Sequence, residues 1–278
     1  MLQSVRRSAF DTAIIAASAV VLLALIFPFL WVVLTSIRPT SELFTNTFVL
    51  ISRRLTLSSY AHLLHSNFVR YILNSVIVCS ISTVATVLVA LLAAYSFSRH
   101  RFPGKSILLG SFALTQLFPF VILVTPLYIL FWHLHLVNTY LGLILTYVAI
   151  TLPFCVYMLL GYFRSVPMSL DEAARIDGAG TLTVIFRVVL PVAWPGLVAT
   201  AIYVFVQSWN EYLFALTFMT EDSRKTIPVG LADFFGQYTT DWGAVMSASV
   251  ISTLPTLIFF AIMQKQLVSG LAAGAVKQ

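Results

Sequence analysis

Two groups of residues have types and spacings that could do chemistry. The first begins at Ser169. With Glu172 three residues later it has the spacing of a capping box, in which a hydroxyl and a carboxylate answer the free amides of a starting helix. Asp171 is also favourable beside that helix's positive end. The helix runs through Ala173, Ala174 and Ile176, and Gly178, after Asp177, is a natural stop. A second stretch, Thr181 to Leu190, brings Leu182, Ile185, Phe186 and Val189 onto one face before Pro191 and Pro195. A connector between spans is usually a handful of residues; this segment, 164–195, is about thirty and carries an apolar face. Two readings fit the pattern. Either the segment docks another protein, or Glu172 only caps its own helix and the face packs on the chain itself.

The second group surrounds Glu211, the acid well inside an apolar run, with Asn210 beside it and Gln207 four residues earlier on the same helical face. An ionisable group at such depth is costly unless it meets a partner or a wet cavity. It either lines a path and bonds the hydroxyls of a passing solute, or makes a buried interhelical hydrogen bond.

Other signals fail on inspection. Gly104-Lys105-Ser106 resembles the end of a phosphate loop, but Arg99 stands where the first glycine is needed, Pro103 has no amide proton, and no strand precedes it. Gly270 and Gly274 have dimerisation spacing but lie beyond the last apolar run. His133 and His135 share a short turn with no third ligand type near them. Cys79 and Cys155 sit among apolar residues and read as packing residues. No Ser/His/Asp or paired-carboxylate arrangement stands out, so the chain is not expected to be an enzyme and no cofactor or metal is expected on it.

The elements that position these groups follow from composition. Of 278 residues, 59% are hydrophobic and only 9% charged, against about a quarter charged in soluble domains. The fold class is therefore all-α and polytopic membrane. The net charge of +6 does not imply nucleic acid, because the 16 Lys and Arg stand between apolar runs rather than in a cluster. Thr12–Ile37, 26 residues without a charge, exceeds a signal-peptide core and reads as a retained span. Ser106–Phe163, 58 residues, would be roughly 87 Å as one helix against a hydrocarbon core of about 30 Å, so it folds back at His133–Asn138. Six spans follow, at about 12–37, 71–98, 106–132, 139–163, 196–220 and 242–264, with a loop at 164–195 and a tail at 265–278. Prolines at 28, 119, 126, 153 and 255 fall within them, which a bundle tolerates as kinks. Ten basic residues share a side with both termini and six lie opposite, which puts the termini in the cytoplasm.

Glu172-Ala173-Ala174, Gly178 and Leu190-Pro191 at this spacing resemble the EAA loop of ABC-importer permeases, the membrane subunits of binding-protein-dependent uptake systems. Val188 replaces the usual isoleucine. Asn74-Ser75, Arg101-Phe-Pro-Gly104, Trp209-Asn210-Glu211 and the tail from Gly270 to Lys277 are similar to the carbohydrate branch, and within it to G-type subunits, so the likeness covers nearly the whole chain. Gln278 stands where glycine is common. The resemblance implies that Glu172, Ala173, Ala174, Asp177, Gly178, Leu190 and Pro191 form a coupling site for a dimer of ATP-binding subunits, which hold the ATP and magnesium. It implies that the tail from Ser269 reaches between those subunits. It also implies a second, F-type permease subunit, an external solute-binding protein, and a bacterial or archaeal cytoplasmic membrane. The expected function is uptake of a di- or oligosaccharide by alternating access. Because G-type subunits are not the main sugar-contacting ones, the structural reading of Glu211 is favoured over a path lined by Gln207, Asn210 and Glu211. A glycerol-phosphate or polyol importer is the alternative; a lone six-span channel or secondary transporter would need ion-coupling groups and repeats that the sequence lacks.

Overall fold

The computed structural model describes residues 2–43, 52, 54–236 and 240–275, with side chains at 11–12, 14–43, 52, 54–236, 240–262 and 264. In chain order its helices are α1 (Leu2–Ser36), α2 (Ser58–His65), α3 (Phe68–Arg99), α4 (Lys105–Thr115), α5 (Val124–His133), α6 (Tyr140–Ser165), α7 (Met168–Ile176), α8 (Thr181–Thr183), α9 (Leu190–Trp209), α10 (Leu213–Phe218), α11 (Ile227–Ala232) and α12 (Trp242–Ala275). Five helical stretches are long and apolar enough to cross a membrane, and a sixth follows if the bent pair of Lys105–Thr115 and Phe120–His133 is one span. Helices dominate because a backbone in lipid must satisfy its own polar groups.

Three stretches differ from the simple apolar-run reading. The run expected as one span over 106–132 is broken at Gln116–Pro119, and its halves diverge by 96°. Pro119 lacks an amide proton and forces extended backbone on its predecessor, so the first helix cannot continue. The run expected at 196–220 also breaks, with α9 ending at Trp209 and α10 starting at Leu213. At its other end α8 passes through a π-helical segment, Val184–Val189, straight into α9, so the expected entry at Pro191 lies inside one continuous helix from Thr181 to Trp209. A π segment shifts the hydrogen-bond register by a residue, and Pro191 falls in the first turn after it, where its missing amide costs little. The last helix likewise continues past 264, so residues 265–275 of the expected tail are helical. The tail's side chains and residues 276–278 lie outside the described residues.

The chain forms two compact units, Met1–Ser66 with Asp233–Thr253, and Asn67–Ala232 with Leu254–Gln278. In the first, α1 exposes an almost wholly apolar surface over residues 14–30, as a lipid-facing helix does. At its end the Ser36 hydroxyl meets the Tyr60 hydroxyl at 2.7 Å, and the Arg38 guanidinium lies 5.4 Å over the Trp31 ring.

The second unit is built on α3, α6 and α9. One core gathers Ala90, Leu91 and Ala94 of α3, Cys155, Leu159 and Phe163 of α6, and Val184, Ile185 and Val189. Another gathers Val78, Leu143, Tyr147, Phe214 and Phe218. Gly196 of α9 lets Tyr162 lie against the backbone, where an added Cβ would come within 2.3 Å of the ring. Cys79 and Cys155 are free thiols buried in this unit.

Candidate functional site

The loop after α6 is organised from Val166-Pro167, both extended, with helix starting at Met168. This corrects the capping-box expectation. Pro167 holds the cap position, no side chain caps α7, and Ser169 lies inside the first turn. Proline's fixed φ places the chain directly at a helix entry, so the hydroxyl is not needed. Glu172 is consequently not a reciprocal cap. It is exposed, as are Ala173, Asp177 and Gly178, while Ala174 is half-buried.

Asp171 turns the other way, into the bundle. Tyr95 of α3 donates to its Oδ2 at 2.8 Å, and Arg99 Nε donates to the same oxygen at 3.2 Å. Arg99 Nη2 lies 3.0 Å from Oδ1, and the two side chains are only 5% and 6% exposed. Arg99 Nη1 also donates to the Phe163 carbonyl of α6 at 3.2 Å. Sequence reading missed this cluster. It treated Arg99 as a loop charge and Asp171 as a favourable neighbour of a helix end. The available signal was Tyr95 and Arg99, four apart on one face of α3.

α7 ends in a Schellman turn. Gly178 N–H donates to Arg175 O at 3.0 Å and Ala179 N–H to Ala174 O at 2.9 Å, with Gly178 at φ 83°. Only glycine adopts that backbone without strain. Beyond it the expected apolar face divides. Ile185 and Val189 are buried with Val184 in the core, whereas Leu182 is 64% exposed and Phe186 is also outside. Leu190 is half-buried and Pro191 exposed. With Ile176, 86% exposed, the loop therefore presents apolar side chains that no described residue covers.

The second site lies at the break between α9 and α10. Glu211 Oε1 accepts from Phe214 N–H at 2.8 Å; Oε2 accepts from Ala215 N–H at 3.0 Å and the Tyr147 hydroxyl at 2.9 Å. The carboxylate answers amides that the broken helix leaves free. It also lines a recess of about 160 Å³ with Phe120, Tyr203, Gln207, Ser208 and Phe214. Gln207 and Glu211 thus come together on one wall. Asn210 does not join them; its Nδ2 donates back to Val206 O at 2.8 Å.

At the opposite end of α3, Asn74 and Ser75 have a structural task. Asn74 Nδ2 donates to the carbonyls of Ser223 and Lys225 at 3.1 and 2.8 Å, its Oδ1 accepts from Tyr140 at 2.6 Å, and Ser75 Oγ accepts from Ile227 N–H at 2.8 Å. The pair pins the 221–227 loop. Tyr71 donates to Asp222 at 2.7 Å, and that hydrogen bond, with help from Lys225 and Asn67, holds the Asp222 carboxyl below its ordinary value.

These features define a polytopic helical membrane protein with an exposed loop held by an ion pair and a recess where Gln207, Ser208 and Glu211 meet apolar side chains. The family model for the binding-protein-dependent transport system inner membrane component matches residues 86–272, and the chain belongs to that family. It is 40% identical to the trehalose/maltose transport system permease protein MalG of Thermococcus litoralis, over 92% of this chain and 94% of that one. It is 37% identical to the inner membrane ABC transporter permease protein YcjP of Escherichia coli, over 93% and 94%. It is 36% identical to the trehalose transport system permease protein SugB of Mycobacterium tuberculosis, over 91% and 92%. A crystal structure of a bacterial ABC transporter involved in the import of the acidic polysaccharide alginate contains a chain that superposes with a TM-score of 0.81 at 21% identity, covering 92% of this chain and 95% of that one. The chain is a transport permease component.

Proposed function

We propose that this permease carries a neutral di- or oligosaccharide into the cell, driven by separate ATP-binding subunits that grip the loop from 164 to 195. The observation that carries the proposal is the outward set of Glu172, Ala173, Ile176, Leu182 and Phe186 on a loop whose backbone is rigidly closed. An apolar patch with a central carboxylate suits a groove bearing a basic residue. In this reading Ala173 and Ala174 permit close approach, Asp177 and Gly178 form the turn, and Leu190 and Pro191 begin the span that the loop moves. ATP closes the partner pair, the loop follows, and the spans alternate between outward and inward access.

A second permease subunit completes the path. Leu117 and Phe118 are exposed at the break in the bent pair, and non-helical backbone at membrane depth is tolerated where protein covers it or it lines a wet cavity. The ten-to-six bias of basic residues supports cytoplasmic termini and, with them, a docking loop on the same side. An external binding protein hands over the solute, a reading supported by membership of a binding-protein-dependent transport family. Support for a sugar comes from the trehalose/maltose and trehalose permeases to which the chain is similar. Neutrality is supported by the recess, whose charged lining group is Glu211 and whose other polar lining is uncharged. Since Glu211 is held by three hydrogen bonds, its first task is to hold the broken helix.

The test reverses Glu172 to Lys and, separately, replaces Gly178 with Val in the complete transporter. Both are expected to cut uptake of labelled trehalose or maltose, whichever the binding protein holds, and to weaken stimulation of ATP hydrolysis by the loaded binding protein. Normal uptake and stimulation in both variants would remove the docking role.

A further inference from the structure

Asp171 is the one buried residue of α7, and it is a carboxylate. A surface helix ordinarily holds on through an apolar stripe. Here Met168, Leu170 and Ile176 are exposed, and Ala174 contributes no more than a half-buried methyl. What fastens the helix is charge. The fastening is placed where three helix ends meet: the last turns of α3 and α6, supplying Arg99 and the Phe163 carbonyl, and the first turn of α7, supplying Asp171. Helix C-terminal ends favour a cation and first turns favour an anion, so each partner is stabilised by the end that bears it. A two-point approach of guanidinium to carboxylate fixes direction as well as distance, and Tyr95 fixes the carboxylate from the α3 side.

We propose that Arg99, Asp171 and Tyr95 form a latch that makes the docking loop move as one body with α3 and α6. Neighbouring carboxylates then have opposite tasks, Glu172 toward the ATP-binding partner and Asp171 toward the spans. Asp171 and Arg99 are positioning residues, and the latch rests on the docking role given above. Without the ion pair the loop still binds its partner, but partner movement is absorbed by α7 swinging on its flanking turns instead of reaching the bundle.

The test uses the complete transporter in proteoliposomes with Asp171→Asn, Arg99→Gln, Arg99→Lys and Tyr95→Phe. Two rates are measured on each, ATP hydrolysis and uptake of labelled trehalose or maltose. A merely structural defect lowers both together. The latch predicts that the ATP-binding subunits still copurify and hydrolyse ATP, while uptake per ATP falls about tenfold in Asp171→Asn and Arg99→Gln. Arg99→Lys, which keeps the charge but loses the two-point geometry, recovers part of the ratio. Amide exchange over residues 168–176 is faster in Asp171→Asn. An unchanged ratio in both neutral variants overturns the latch. Should those variants shed the ATP-binding subunits, Tyr95→Phe decides, since it leaves the ion pair in place: a ratio lowered about twofold supports the latch, and an unchanged one overturns it. Normal ratios here beside a defective Glu172→Lys would remove the latch alone, whereas normal Glu172→Lys and Gly178→Val transporters would remove the docking role beneath it.

Discussion

Asp171 and Glu211 are carboxylates of the same unit, each beside the start of a short helix, and they are satisfied by different means. Asp171, at the edge of the bundle, is met by a guanidinium and a phenol from α3. Glu211, at the break between α9 and α10, is met by two backbone amides and the Tyr147 phenol. The difference follows from what each depth permits. Arg99 at the end of α3 can carry its charge to the membrane edge, whereas a cation brought to the depth of Glu211 would add a second desolvation cost. The break in the helix supplies dipoles in place of a counter-charge. The two carboxylates therefore join different things. Asp171 ties a separate helix to the bundle, and Glu211 ties the start of α10 to α6.

Removing the counter-charge should have the largest effect. Arg99→Leu leaves Asp171 buried without its counter-charge, which costs about 3 kcal/mol or more, read as a lowered unfolding temperature of the solubilised protein. Adding Asp171→Leu in the same chain should recover much of that loss, because an apolar pair leaves no buried charge. Failure of the double variant to recover would mean that the ion pair is not the source of the penalty. Next comes Glu211→Ala, expected to cost about 2 kcal/mol through the lost amide and phenol bonds. Glu211→Gln keeps one acceptor oxygen and should cost less. If Gln proved as damaging as Ala, the negative charge itself, and not the hydrogen-bond geometry, would be what the site requires.

The smallest effect belongs to the exposed loop at the other end of α3. The Asp222 carboxyl is held below its ordinary value in the folded protein. Its contribution is therefore present above the unfolded value and lost as pH falls through the folded one. Amide exchange over residues 221–227 should quicken below about pH 4. Asp222→Asn should remove that pH step while leaving the neighbouring Asn74 contacts in place.

Much of this was legible in the residues. Apolar runs pointed to the long helices and Gly178 gave the turn, while of Glu172-Ala173-Ala174 the first two are exposed and the third is half-buried. What escaped was tertiary. Which of two adjacent carboxylates faces the bundle depends on where Pro167 starts the helix, and the capping-box spacing of Ser169 and Glu172 pointed to the wrong start. The break at Gln116–Pro119 was hidden because it is short and uncharged within a long apolar run, where Pro119 read as a kink that a bundle tolerates. The break after Trp209 was signalled only by Asn210 and Glu211, which read equally well as polar lining. The division of the 181–190 face also depends on the π segment, which moves Phe186 outward while Ile185 stays inside.

The most direct measurement places a single thiol on the docking loop of the assembled transporter. Cys79 and Cys155 are buried, so Ile176→Cys, at a position 86% exposed, can be joined by a short bifunctional reagent to whatever lies against it. The docking account predicts a covalent product between this chain and an ATP-binding subunit, formed in sealed inside-out vesicles. Labelling of that thiol by a membrane-impermeant reagent from the outer face, with no such product, would contradict it.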